Sequence, residues 1–108
     1  MPQISQDASL QTVITTFDTA PGNCADLMDE LSAAYAEFIS RQPGFISAAL
    51  HVNDAQTRVA NYSQWASRED FKTMLRSDEM RARNRRINAL CRSFEPVMYD
   101  VFATHDRP

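Results

Sequence analysis

Glycine is nearly absent from this chain, with two in 108 residues. That is too few for flexible linkers or for the glycine-rich loops that wrap phosphates. Cysteine is equally scarce. Cys24 and Cys91 stand far apart, with neither Cys-x-x-Cys spacing nor a neighbouring histidine, so reduced, mostly buried thiols are expected rather than a zinc site or a disulfide framework. Cys24 lies near an expected helix start, where a lowered thiol pKa is the alternative. The two histidines, His51 and His105, belong to no Ser-His-Asp or Cys-His pattern, and no paired carboxylates share an apolar segment. The residues that usually carry hydrolysis or nucleophilic catalysis are therefore missing. A formal net charge of -3 argues against nucleic acid and anionic membranes as partners. No run approaches the ~20 apolar residues that span a bilayer, and residues Met1 to Leu10 lack the basic start and apolar stretch of a secretory signal. A cytoplasmic protein is expected.

What is present suffices for one domain over residues 1–108, with an ordered core at about 10–104. Leu10 to Thr19 is rich in β-branched residues and reads as a first strand, with Val13, Thr15 and Phe17 on one face. Pro21-Gly22-Asn23 breaks that pattern, and Asn23 with Asp26 has the spacing of a helix cap. A helix follows, in which Leu27, Leu31, Ala34, Tyr35 and Phe38 recur at three and four and are expected to cover a sheet. Pro43-Gly44 ends it. Phe45 to Asn53 reads as a second strand, with Phe45, Ser47, Ala49 and His51 on one side and the apolar Ile46, Ala48, Leu50 and Val52 on the other. Asp54-Ala55-Gln56 connects it to a third strand as an antiparallel hairpin. Ser67 with Asp70 caps the next helix, and Ser77-Asp78 interrupts it. A last strand is expected over Val97 to Thr104, after Pro96, with Val97, Tyr99 and Val101 on one face.

The order βαββαβ is the split βαβ, or ferredoxin-like, pattern of an α+β protein: a four-stranded antiparallel sheet with helices on one face. The opposite face is partly apolar. In a chain this short a second copy is its simplest cover, so a homodimer is expected.

Chemistry concentrates in the third strand, which reads Arg-Val-Ala-Asn-Tyr-Ser-Gln-Trp from Arg58 to Trp65. Val59, Asn61, Ser63 and Trp65 share one face, and Arg58, Ala60, Tyr62 and Gln64 the other. Both faces mix apolar bulk with hydrogen-bonding groups, so one face is expected to line a pocket. Asn61 disfavours strands, and a buried amide without partners costs about 1–3 kcal/mol. Its place there therefore asks for a reason. Together the amide and the Trp65 indole N–H can hold an oxygen on which negative charge develops. Plainer readings stay open: a core hydrogen bond for Asn61, a packing anchor for Trp65 and a strand-end structural role for His51. The arginines between Arg76 and Arg92 read as a solvated helix face, with Arg85 turned away from the stripe of Met80, Ile87 and Cys91.

Pro43 to His51 together with Val59 to Ser67 resembles the antibiotic-biosynthesis monooxygenase family of dimeric α+β barrels, over roughly residues 10 to 104. It looks most like the small cofactor-independent oxygenases that convert anthrone-like phenols to quinones in aromatic polyketide pathways. The resemblance implies Asn61, Trp65 and Arg85 as catalytic residues, with His51, Phe71 and Tyr35 binding substrate. It implies a small aromatic substrate and molecular oxygen as partners, with neither flavin nor metal as cofactor. The chain departs from the polyketide enzymes at Phe71, where they carry a tyrosine. Haem degraders of the same superfamily need a histidine on the helix after the tryptophan, and Ser67 to Arg92 contains none. The rival readings are a non-catalytic dimer that binds an aromatic ligand and an accessory subunit or cyclase.

Overall fold

The elements follow the expected order. In the computed structural model, which describes residues 10–108, they run β1 (Gln11–Asp18), α1 (Pro21–Glu37), a short 3-10 turn (Ile39–Arg41), β2 (Phe45–Val52), β3 (Arg58–Trp65), α2 (Arg68–Arg76), α3 (Asp78–Asn88) and β4 (Ser93–Tyr99). The first nine residues of the 1–108 domain, and with them most of the stretch read for a secretory signal, lie outside the described residues. The sheet is antiparallel throughout, in the order β2-β3-β1-β4. This is the ferredoxin-like arrangement, with the two long connections placing helices against one face.

That face is the core. Val13, Phe17, Val59 and Trp65 from the sheet meet Cys24, Leu27, Leu31 and Ala34 of α1, Phe71 and Met74 of α2, and Met80 and Ile87 of α3, all buried. Arg83 joins them. It is 8% exposed, and its guanidinium donates 2.8 Å to Glu79 and 3.3 Å to Glu37, tying α3 to the end of α1. The arginine stretch is thus not wholly a solvated face: the Glu79–Arg83 pair at helical spacing turns one member inward.

Local chemistry explains most boundaries. Ser67 accepts from the backbone N–H of Asp70 at 3.1 Å, and Ser77 accepts from that of Met80 at 3.2 Å, so each serine caps a helix and the interruption falls at Ser77. At α1 the expected Asn23 cap is displaced: the helix starts at Pro21, with Ala20 before it and no side-chain cap. Proline suits a first helical position, where its fixed φ is helical and its missing N–H would go unpaired anyway. Gly44 takes φ +84°, and a Cβ there would run into the Asp70 side chain, so the turn into β2 needs glycine on both counts.

Two strand expectations are corrected. β2 carries an irregularity between Phe45 and Ser47, which pair with the adjacent residues Trp65 and Gln64. The extra residue, Ile46, moves Phe45 to the face of Ala48, Leu50 and Val52, away from Ser47, Ala49 and His51. The last strand starts at Ser93 and ends at Tyr99, not Val97 to Thr104, with Pro96 inside it opposite Thr15. A proline is tolerated there because β4 is an edge strand and no outer neighbour needs its N–H. In the β1–β4 register Phe94, Pro96 and Met98 face the core, while Val97 and Tyr99 face away.

Candidate functional site

The expected amide–indole face of β3 does turn under the helices. Asn61, Ser63 and Trp65 line a narrow cavity, with Thr15 and Phe17 from β1, Tyr35 from α1 and Phe71 from α2. Trp65 is fully buried, packed edge-on against Phe45 (ring centroids 5.4 Å) and Phe71 (5.8 Å). Phe45 in turn lies 5.8 Å from the Tyr35 ring. The irregularity in β2 is what brings Phe45 to this cluster.

Polar groups on that surface are arranged unequally. The Tyr35 hydroxyl donates to Asn61 Oδ1 at 2.9 Å. Burial pushes the phenol pKa up, opposed more weakly by its polar neighbours Asn61 and Ser63, so Tyr35 is a neutral donor. With Oδ1 occupied, the Asn61 Nδ2 donors have no partner among the described residues. The buried Trp65 Nε1 also lacks a hydrogen-bond partner among the described residues. Buried donors are normally paired, so an unmatched indole N–H beside a cavity is a capacity to bind an acceptor. What the surface offers is therefore donors without fixed charge, suited to an oxygen that is or becomes negative.

The cavity is small, at about 50 Å³. A pocket for a ring system needs about 300 Å³ or more, so this one holds no such guest without opening. The cause is packing: Leu31, Met74, Met80 and Ile87 close down on the sheet from three helices.

Of the six expected site residues, Asn61, Trp65, Tyr35 and Phe71 are brought together. Arg85 is not among them. It is exposed on α3, in an open groove with Arg81, Asn84, Asn88 and Phe94. His51 is not either, because it pairs with Ala60 and so points away from the face of Asn61, which pairs with Leu50. Its Nδ1 lies 3.4 Å from the Ala60 carbonyl at an exposed position. The pleat of the strand thus keeps His51 off this cavity. Asn84 was missed: it lines the cavity from α3, four residues after Met80 and three before Ile87. An amide interrupting an apolar helix stripe was the available signal.

Among the described residues, no helix is long and apolar enough to cross a membrane, and no group of three or more His, Cys, Asp or Glu could hold a metal ion. Both cysteines are free.

Known proteins share this arrangement. Tetracenomycin-F1 monooxygenase of Streptomyces glaucescens is 36% identical over 74 residues, which span 68% of this chain and 66% of that protein, just under two thirds of its length. SnoaB, a cofactor-independent oxygenase from Streptomyces nogalater, superposes with a TM-score of 0.73 at 22% identity, over 90% of this chain and 97% of its own. A monooxygenase from the gene ActVA-Orf6 of Streptomyces coelicolor, solved with the ligand nanaomycin D, has a TM-score of 0.73 at 23% identity, over 93% of each chain. These likenesses bear out the ferredoxin-like fold. The family model for antibiotic biosynthesis monooxygenase matches residues 10–86, from β1 through most of α3. With β3 and its amide–indole face inside that span, the chain belongs to the antibiotic biosynthesis monooxygenase family.

Proposed function

We propose that the protein is a cofactor-independent monooxygenase that converts a polycyclic phenol or quinol-type aromatic into a quinone with molecular oxygen. One observation carries this reading: Asn61 and Trp65 line the same cavity, and neither Asn61 Nδ2 nor Trp65 Nε1 has a hydrogen-bond partner among the described residues. Membership in a monooxygenase family and the likeness to the Streptomyces glaucescens enzyme support the same reaction class.

In this reading Asn61 and Trp65 hold the substrate oxygen and stabilise its charge as a ring C–H proton is lost. The resulting carbanion, conjugated with its phenolate, passes one electron to oxygen, and the radical and superoxide join as a carbon-bound peroxide. Breaking the O–O bond with loss of the remaining hydrogen on that carbon releases one water and leaves a carbonyl. One oxygen atom enters the product and the other leaves as water, with the substrate supplying every electron. Tyr35 and Phe71 line the bound rings. The proton passes to solvent at the outer edge, where the permanently charged guanidinium of Arg85 favours the anion left behind, and a proton returns to the peroxide as water leaves; His51 takes no part.

Two copies complete the molecule in this proposal. The sheet face without helices carries Ile14, Ala49, Ala60, Val97 and Tyr99, and a second copy covers it. The compartment is the cytoplasm, where both thiols stay reduced.

The small size of the cavity favours a second reading, a non-catalytic dimer of the same fold that binds an aromatic ligand weakly or not at all. Oxygen uptake separates the two. Anaerobic dithranol mixed with protein and air is expected to yield quinone and consume one oxygen molecule per product, and Asn61→Ala or Trp65→Phe is expected to lower kcat/KM roughly 100-fold. A rate no faster than buffer, or one indifferent to both substitutions, overturns the monooxygenase reading.

A further inference from the structure

Two grooves more open than the narrow cavity flank it. The groove between α1 and β2, about 520 Å³, shares only Tyr35 with it. Opening that side means moving a ring that is held by Asn61 and packed beside Phe45. The groove between α3 and β4, about 440 Å³, shares Asn84 and Phe94 with the cavity. The Asn84 side chain has no hydrogen-bond partner among the described residues, so turning it aside breaks no such bond.

Charge divides the two grooves further. Ser32, Ala36, Ser40 and the other residues lining the α1–β2 groove include no ionisable group besides the phenol of Tyr35. The α3–β4 groove carries Arg81 and Arg85. Neither has an ion-pair partner among the described residues, whereas Arg58, Arg83 and Arg86 are each paired with a carboxylate. Unpaired guanidinium groups at a concave mouth raise the local concentration of an anion. Asn84 also has a place that helix preference does not explain, since asparagine is a poor helix former and lies between the buried Met80 and Ile87.

We propose that an ionised multi-ring phenol enters between α3 and β4, drawn by Arg81 and Arg85, and that Asn84 is a positioning residue whose amide holds the guest's outer oxygen at the threshold beside Phe94. The inner oxygen then reaches the donors of β3. This rests on the reading of the guest as an anionic polycyclic aromatic and adds its route and a third amide contact. Phe94 and Asn88 lie beyond residue 86, where the family match ends.

Trp65 is the single tryptophan and lines the cavity, so its fluorescence reports arrival directly. The probe is 2-hydroxyanthraquinone, already oxidised and ionised in mildly alkaline buffer, titrated into the full chain. Asn84→Leu is expected to weaken binding roughly tenfold, and Asn84→Asp more than Asn84→Leu because it repels the anion. Asn84→Gln is expected to retain binding. Arg81→Gln is expected to slow association and reduce its salt dependence. Ala36→Phe, which fills the other groove, is expected to leave binding unchanged. Leucine at 84 extends an apolar stripe and Ala36 is exposed, so both variants keep the fold, checked by thermal melts. Binding that survives Asn84→Leu and is lost in Ala36→Phe overturns the proposed route, as does wild-type protein whose fluorescence does not change. Wild-type protein that binds the probe but consumes no oxygen with dithranol sinks the monooxygenase reading instead, and the order of the variants still decides the route.

Discussion

The Tyr35 hydroxyl donates to Asn61 Oδ1 at 2.9 Å, across 26 positions of sequence, and so joins the first helix to the amide of the third strand. The bond occupies the acceptor of the amide and leaves its donors for the cavity. Tyr35→Phe should therefore keep the ring's packing but free the amide to rotate. About a threefold to tenfold rise in KM for dithranol is expected, with a smaller change in kcat, measured by oxygen uptake.

The same tyrosine makes a pH prediction. Its pKa is raised by burial above the ordinary phenol value of about 10. A folded-state value above the unfolded one means the folded protein holds this proton more tightly. Its contribution to stability is whole below the unfolded value and is lost as pH rises through the folded one. Denaturant midpoints are expected to be flat in this respect near neutral pH and to fall at strongly alkaline pH. That alkaline fall should shrink in Tyr35→Phe, measured by the same denaturant series across pH.

The two glycines are expected to respond with opposite signs. Gly44→Ala places a Cβ against Asp70 in a left-handed backbone and should cost about 1–3 kcal/mol. In Gly22, near the start of α1, an added Cβ meets nothing within 4 Å. Gly22→Ala should add about 0.4–1 kcal/mol by restricting the unfolded chain. Urea midpoints of both variants test the pair, and a neutral Gly44→Ala would contradict the tight turn.

Ser67 and Ser77 cap α2 and α3. Each serine-to-alanine change is expected to cost about 1 kcal/mol. Ser67 also donates to the Asp70 carboxylate at 2.9 Å, the same group that packs beside Gly44. Ser67→Ala and Gly44→Ala should therefore be non-additive, whereas Ser77→Ala should add independently. A double-mutant cycle measures this.

A lysine at Val97 or Ile14 meets the proposed second copy. Both residues are half-buried on the sheet face away from the helices. Native mass spectrometry is expected to show a dimer for the wild-type chain and a larger monomer fraction for Val97→Lys. A wild-type monomer would remove the second copy from the proposal.

Cap residues, β-branched runs and helical periodicity are local, so the order of elements, the interruption at Ser77 and the amide–indole face of β3 were legible before any coordinates. The alternation of a strand is a property of neighbouring residues, and it alone put Asn61 and Trp65 on one side. Other features depended on residues distant in sequence. Phe45 changed face because an extra residue in β2 had to be absorbed against β3, and Pro96 fell inside a strand because β4 lies at the edge of the sheet. Whether His51, Arg85 or Asn84 meets the cavity was decided by pairing register and by how closely three helices pack on the sheet. Periodicity assigns a residue to a face, but only tertiary packing determines how much space that face encloses.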